Sequence, residues 1–221
     1  MTSTFESRSE ASSVPDSSVS DPERRDFIVI MATAMAAGGA AAVAWPLVDQ
    51  MNPASNVVAQ GAPITVDVSK IEPGQMITVM WQAKPMFIVH RTPAMLERLA
   101  QPSEAADLRD PLSKTKQQPA YAANWSRSIK PAYLVLVGVC THLGCIPNFR
   151  PAPGSIGPNW PGGWLCPCHG SRYDLAGRVF NGSPAPLNLP VPPYRFASDT
   201  AIEIGKNPPG GSFAMSQIQT M

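Results

Sequence analysis

The chain has 221 residues and four cysteines, and all four cysteines fall in two short boxes. The boxes are Cys140-Thr141-His142-Leu143-Gly144-Cys145 and Cys166-Pro167-Cys168-His169-Gly170-Ser171, and two of the three histidines lie in them as well. Scattered structural cysteines would not concentrate in this way, so the boxes read as two loops that meet around a metal centre. Each offers one sulfur and one nitrogen ligand at short spacing, Cys140 with His142 and Cys166 with His169, and each leaves a further cysteine, Cys145 or Cys168. A tetrahedral zinc site of two Cys and two His is one chemistry this set allows. Zinc sites commonly take like ligands in adjacent pairs, whereas here each box mixes the types. The mixed set suits a 2Fe–2S cluster with two thiolates on one iron and two imidazoles on the other.

The spelling Cys-x-His-x-Gly-Cys followed by Cys-Pro-Cys-His-Gly-Ser resembles the high-potential Rieske proteins of quinol-oxidising cytochrome complexes. The resemblance implies that Cys140, His142, Cys166 and His169 ligate the cluster. It also implies a disulfide between Cys145 and Cys168, worth roughly 3 kcal/mol in the chain-entropy model. Such a bond belongs to an oxidising compartment outside the cytoplasm. Ser171 and Tyr173 match family hydroxyls that hydrogen-bond to the cluster and raise its potential. Gly182-Ser183-Pro184-Ala185-Pro186 matches a family proline loop, lengthened here by Ser183. His169 matches the histidine that faces quinol, so His169 and His142 are the expected catalytic pair. A ligand imidazole keeps a second ring nitrogen for a proton, as quinol oxidation requires. Leu143 would be an exposed apolar docking residue, or else a side chain tucked beneath the disulfide.

The similarity to the iron–sulfur subunit of ubiquinol–cytochrome c reductase extends over nearly the whole chain after residue 24, including Pro186-Leu187-Asn188-Leu189. It implies one 2Fe–2S cluster, cytochrome b and a c-type cytochrome as partners, quinol as substrate, and a role as one subunit of a larger enzyme. A second reading is the small Rieske subunit of a soluble periplasmic oxidase such as arsenite oxidase, which shares the boxes and an export signal. A ferredoxin serving an oxygenase would lack the extra cysteine pair. A zinc-binding interaction module would be colourless.

The loops need a scaffold and an anchor. Residues 1–23 are serine-rich and polar and read as a disordered cytoplasmic tail. Arg24-Arg25 precedes an uncharged run from Phe27 to Val48, so residues 24–48 read as a twin-arginine signal joined to a transmembrane helix. A cleaved signal peptide is the alternative, with Ala42-Val43-Ala44 as its cleavage site. No Lys or Arg follows the run until Lys70, which puts the N-terminus inside and the head in the periplasm. Residues 49–62 form an expected flexible linker, which the resemblance makes a hinge. A formal charge of +1 argues against nucleic acid as a partner.

Residues 63–221 form the expected head, mainly antiparallel β, with a cluster-binding subdomain inserted at about 138–187. Strands are expected at 64–69, 76–81, 86–90, 132–139, 187–191 and 200–204, with a hairpin at 82–85. Thr92-Pro93 opens a short helix to about Leu99. Residues 101–130 are expected to be mostly loop with surface charges. Trp160 and Trp164 are expected to pack, and His90 to be a structural strand-end residue. The last sixteen residues show no pattern.

Overall fold

The computed structural model describes residues 22–52 and 61–219. The expected tail up to residue 21, and positions 53–60 of the expected linker, lie outside them. Two units are distinguished, residues 1–53 and 54–221. Within the first, α1 (Pro22–Asp49) is a single 28-residue helix with no buried residue. At 1.5 Å per residue it is about 42 Å long, enough to cross a bilayer core. It carries Pro46 internally, a residue that membrane helices tolerate. Thr33 returns its hydroxyl to the Val29 carbonyl at 2.8 Å, so even this polar side chain is satisfied within the helix.

The second unit contains three three-stranded antiparallel sheets among its described residues. The first joins β1 (Ile64–Asp67), β9 (Ala201–Ile204) and β8 (Tyr194–Ser198) in the order β1-β9-β8. Ile64 pairs with Ile204 and Val66 with Ile202, so the alternation read from the sequence turns one apolar face inward. The second joins β2 (Met76–Trp81), β3 (Lys84–His90) and β4 (Tyr133–Val137) in sequence order. The hairpin between β2 and β3 is tighter than expected. Lys84 and Pro85 pair within the ladder, and Gln82 and Ala83 alone turn the chain, both with positive φ. Two consecutive positive-φ residues give the turn whose twist matches the flanking strands. The third sheet, β5 (Asn148–Arg150), β6 (Gly163–Leu165) and β7 (Arg172–Tyr173), forms inside the inserted subdomain.

One continuous core joins Trp81, Phe87, Leu134, Leu136, Tyr194 and Ile202 to Trp164, Tyr173, Cys140 and Cys166. The two box cysteines are therefore part of the packed interior. Trp160 packs with Leu108 and Phe180 and donates its indole N–H to the Arg150 carbonyl at 2.8 Å. His90 stacks on Tyr133, its ring 4.5 Å away, and contacts the Ile71 carbonyl, the expected structural role. α2 (Pro93–Leu99) begins as expected, with the Thr92 side chain accepting from the Met95 N–H.

One expectation fails and another needs refinement. The segment 187–191 is not a strand. Pro186, Pro190, Pro192 and Pro193 remove the donors a ladder needs. Two of its amides bond singly instead, Leu189 to the Gly177 carbonyl and Val191 to the Gln117 carbonyl, each at 2.8 Å. The 101–130 segment is mostly loop, as expected, with Asp107, Lys114 and Lys116 exposed, but its charges are not all at the surface. It contains α3 (Pro102–Ala106) and a 3₁₀ turn at Ala120–Ala122, and Arg127 is wholly buried. Arg127 donates to the carbonyls of Ala176 (2.9 Å) and Leu189 (2.8 Å) and to Gln118 Oε1 (3.0 Å). Buried Arg91 likewise reaches the carbonyls of Pro131, Ser126 and Leu175. Burial lowers the Arg127 guanidinium to about 9 and that of Arg91 to about 10. Each still holds its charge at neutral pH and spends it on carbonyls that would otherwise be unpartnered. The C-terminal segment, which showed no sequence pattern, is tied down by Gln219 N–H on the Lys116 carbonyl (3.1 Å) and by Tyr121 O–H on Asn207 Oδ1 (2.9 Å).

Glu104 of α3 has Oε1 buried without a hydrogen-bond partner among the described residues. Burial, and next the nearby Asp174 charge, push its carboxyl up to about 7. The folded head therefore binds this proton more tightly than the unfolded chain. The associated stability is present below the ordinary value of 4.5 and is lost as pH rises through about 7. With solvent screening discounted, the loss is on the order of 1 kcal/mol. Glu104→Gln should remove this slope, as read from denaturant melts at pH 5 and pH 8; an unchanged slope would contradict the assignment.

Candidate metal centre

Both boxes fold into the same six-residue turn. In the first, Cys140 N–H donates to the Cys145 carbonyl (2.8 Å) and Gly144 N–H to the Cys140 carbonyl (3.1 Å). In the second, Cys166 N–H donates to the Ser171 carbonyl (2.8 Å) and Gly170 N–H to the Cys166 carbonyl (3.0 Å). The fifth position of each adopts positive φ, +82° at Gly144 and +73° at Gly170, which is why glycine stands at both. β4 leads into the first turn, and β6 and β7 flank the second.

The turns face each other and are joined by a disulfide between Cys145 and Cys168, the pairing that the family resemblance implied. Cys140 and Cys166 remain free thiols, both buried. The sulfurs of Cys145, Cys166 and Cys168 all lie within 4.8 Å of one another. That trio cannot supply three thiolates, because two of its members are bonded to each other. The available donors are Cys140, Cys166, His142 and His169. The two imidazoles stand nearly perpendicular, interplanar angle 85°, with centroids 4.8 Å apart. His142 Nδ1 is buried with no hydrogen-bond partner among the described residues. An orphaned ring nitrogen beside two buried thiols and a second imidazole is the donor set a histidine-ligated 2Fe–2S cluster takes. Burial raises the Cys166 thiol, and the nearby backbone amides of Cys168 and His169 act against that rise. Those amides would stabilise negative charge on that sulfur once it is a ligand.

Tyr173 and Ser171 lie at the base of the turns, both fully buried. The Tyr173 hydroxyl is 3.2 Å from Cys140 Sγ and accepts from Thr141 N–H at 3.3 Å. Burial, and then the Cys140 contact, push its phenol far above its ordinary value, so it stays a neutral donor. Ser171 Oγ accepts the Ala185 N–H at 3.0 Å. Thr141, which sequence reasoning passed over, donates its hydroxyl to the Leu187 carbonyl at 2.6 Å and so ties the first turn to the proline loop. No sequence signal marks Thr141, because the bond spans 46 residues. Ser183 has its hydroxyl buried against Arg172 N–H at 3.1 Å. Arg172 is exposed. His169 is exposed and His142 half-buried. Leu143 is 70% exposed and Ile146 55%, so Leu143 is not tucked beneath the disulfide.

Residues 15–54 match the family model described as the ubiquitinol–cytochrome c reductase Fe–S subunit TAT signal, and residues 106–193 match the Rieske [2Fe-2S] domain. Both fall where the sequence had placed the export signal with its apolar run and the ligand boxes. The ubiquinol–cytochrome c reductase iron–sulfur subunit of Allochromatium vinosum is 48% identical over 186 residues, which cover 83% of this chain and 89% of that protein. Its counterpart from Bradyrhizobium diazoefficiens is 46% identical over 189 residues, 86% of this chain and 98% of that protein. Among solved structures, a chain of a hyperthermophilic respiratory Complex III is 28% identical, over 79% of this chain and 99% of that chain, with a TM-score of 0.44. Similarity this high over nearly the full length of both partners leaves one conclusion: the chain belongs to the iron–sulfur subunits of ubiquinol–cytochrome c reductase.

Proposed function

We propose that this chain is the high-potential Rieske subunit of a quinol–cytochrome c oxidoreductase, taking one electron from quinol and delivering it to a c-type cytochrome. The observation that carries the reading is the pair of facing Cys/His turns locked by one disulfide. Cys140, His142, Cys166 and His169 hold the cluster. Bound there, a 2Fe–2S centre supplies one-electron chemistry at raised potential, because two neutral imidazoles replace two anionic thiolates.

The remaining roles belong to the chain. His169, the more exposed imidazole, presents its outer ring nitrogen to the quinol hydroxyl and takes its proton; His142 holds the second imidazole position. Leu143, exposed beside the turn, is the apolar contact through which the head docks on cytochrome b. Ser171 and Tyr173 donate hydrogen bonds that stabilise added negative charge. α1 anchors the subunit in the inner membrane with its N-terminus inside and the head in the periplasm, where the Cys145–Cys168 bond persists. The segment 49–62 links the anchor to the head. A soluble oxidase subunit would need neither anchor nor tether.

Low-temperature electron paramagnetic resonance on isolated membranes reduced with ascorbate tests the function directly. The expected result is a rhombic signal of low average g under that mild reductant. A signal appearing only with dithionite would contradict the high-potential role, and absence of signal with zinc in the protein would overturn the redox reading. His169→Ala should abolish the signal and lower bound iron; a normal cluster in that variant would refute the ligand assignment. Ser171→Ala and Tyr173→Phe should each lower the midpoint by roughly 60–130 mV, the one-electron equivalent of a hydrogen bond worth ~1.5–3 kcal/mol. Redox titration of each variant reads the shift directly.

A further inference from the structure

We infer that Arg109, together with Ser183, sets the redox potential indirectly by fixing the orientation of the Ser171 hydroxyl. The inference rests on the reading of Ser171 as a donor to the cluster. A hydroxyl rotates freely unless its lone pairs are committed, and the Ser171 Oγ is committed by one bond, from Ala185 N–H at 3.0 Å. That amide lies between two prolines, Pro184 and Pro186, neither of which has an N–H to offer. Ala185 N–H is therefore the only backbone donor in that three-residue stretch.

The Arg109 guanidinium grips the peptides on either side of it. One terminal nitrogen donates to the Ala185 carbonyl at 2.8 Å, the other to the Ser183 carbonyl at 2.9 Å. The clamped peptides flank the Pro184–Ala185 peptide, so its plane, and with it the direction of Ala185 N–H, is set from both ends. A planar fork with two donors suits this task, and a single ammonium does not. The grip has its own anchor: Arg109 N–H donates to the Val179 carbonyl at 2.9 Å, and neighbouring Leu108 is buried in a bridge to Phe180. Ser183 closes the frame from the other side. Its hydroxyl accepts the N–H of Arg172, the residue that follows Ser171, at 3.1 Å. The residue that lengthens the proline loop thus binds that loop to the second ligand turn. Among the described residues the hydrogen bonds of Arg109 go to Val179, Ser183 and Ala185 and to no ligand residue, so it is a positioning residue.

The test is redox titration, followed by paramagnetic resonance, of the full chain in its membranes. The variants are Ser171→Ala, Arg109→Met, Arg109→Lys, Ser183→Ala and the double variant Arg109→Met/Ser171→Ala. Arg109→Met should lower the midpoint by less than Ser171→Ala does. The double variant should sit at the Ser171→Ala midpoint, because two residues acting through one hydrogen bond do not add. Arg109→Lys keeps the charge but loses the fork, so it too should lower the midpoint. Additive shifts in the double variant, or an unshifted Arg109→Lys, would mean that Arg109 acts only through its charge, and would overturn the inference. Should Arg109→Met fail to retain a cluster, Arg109→Lys and Ser183→Ala decide: a lowered midpoint in both supports the inference and an unchanged one in either refutes it. If Ser171→Ala itself leaves the midpoint unchanged, the donor reading fails and the inference with it. If Ser171→Ala lowers it while the Arg109 and Ser183 variants do not, the inference alone fails.

Discussion

The structure of the head depends on holding two buried thiols and two imidazoles in place while leaving His142 Nδ1 without a protein partner among the described residues. A buried donor or acceptor without a partner costs free energy, and His142 Nδ1 is such an atom. Two identical turns answer this constraint. Each closes on itself through its own backbone bonds, so neither needs its cysteine or histidine side chain to hold its shape. The Cys145–Cys168 bond then fixes the two turns against each other and leaves Cys140 and Cys166 free. Covalent and backbone constraints keep the shape, and the side chains are left for chemistry.

Behind the turns the organisation is polar as well as apolar. A subdomain with so many prolines leaves carbonyls that no ladder can satisfy, and the head meets them with arginines. Arg127 and Arg91 bring several donors each into the interior, and Arg109 does the same at its edge. Arginine suits this because it holds its charge despite burial and spreads it over a rigid set of N–H groups. Asp174 and Arg178 add a fully buried ion pair, with the carboxylate also accepting the Ala176 and Arg178 amides. Breaking such a pair by removing one partner is far more costly than never having built it. Each of these groups makes at least one contact to the inserted subdomain, Arg127 to Ala176, Arg91 to Leu175, Arg109 to Ala185, and Asp174 and Arg178 within it.

The surface around the turns follows the opposite rule. Leu143, Ile146 and the ring of His169 are left open to solvent at the tip, while the Tyr173 and Ser171 hydroxyls are sealed beneath. Hydrogen bonds to charge are stronger away from water, so donors that tune a centre belong below it. Groups that meet substrate and partner belong above it. The division between exchange at the tip and tuning at the base is built into one pair of turns.

The chemistry was written in the sequence, because ligand type and spacing are local. Two boxes, six residues each, specify donors and turns through side-chain identity and one glycine apiece. The apolar run of α1, the alternation of β1 and the Thr92-Pro93 cap were legible for the same reason. What could not be read were contacts between distant residues. Arg109 reaches Ala185 across 76 residues, Arg127 reaches Leu189 across 62, and Thr141 reaches Leu187 across 46. A charge in a loop reads as a surface charge until folding places unpaired carbonyls around it. The 187–191 segment looked like a strand because its leucines and valine alternate, but tertiary structure buries Asn188 along with Leu189 and Val191, and its prolines forbid the ladder. The sequence by itself determined what the centre binds; only the fold decided which groups orient it, since orientation is the sum of long-range hydrogen bonds that leave no local pattern.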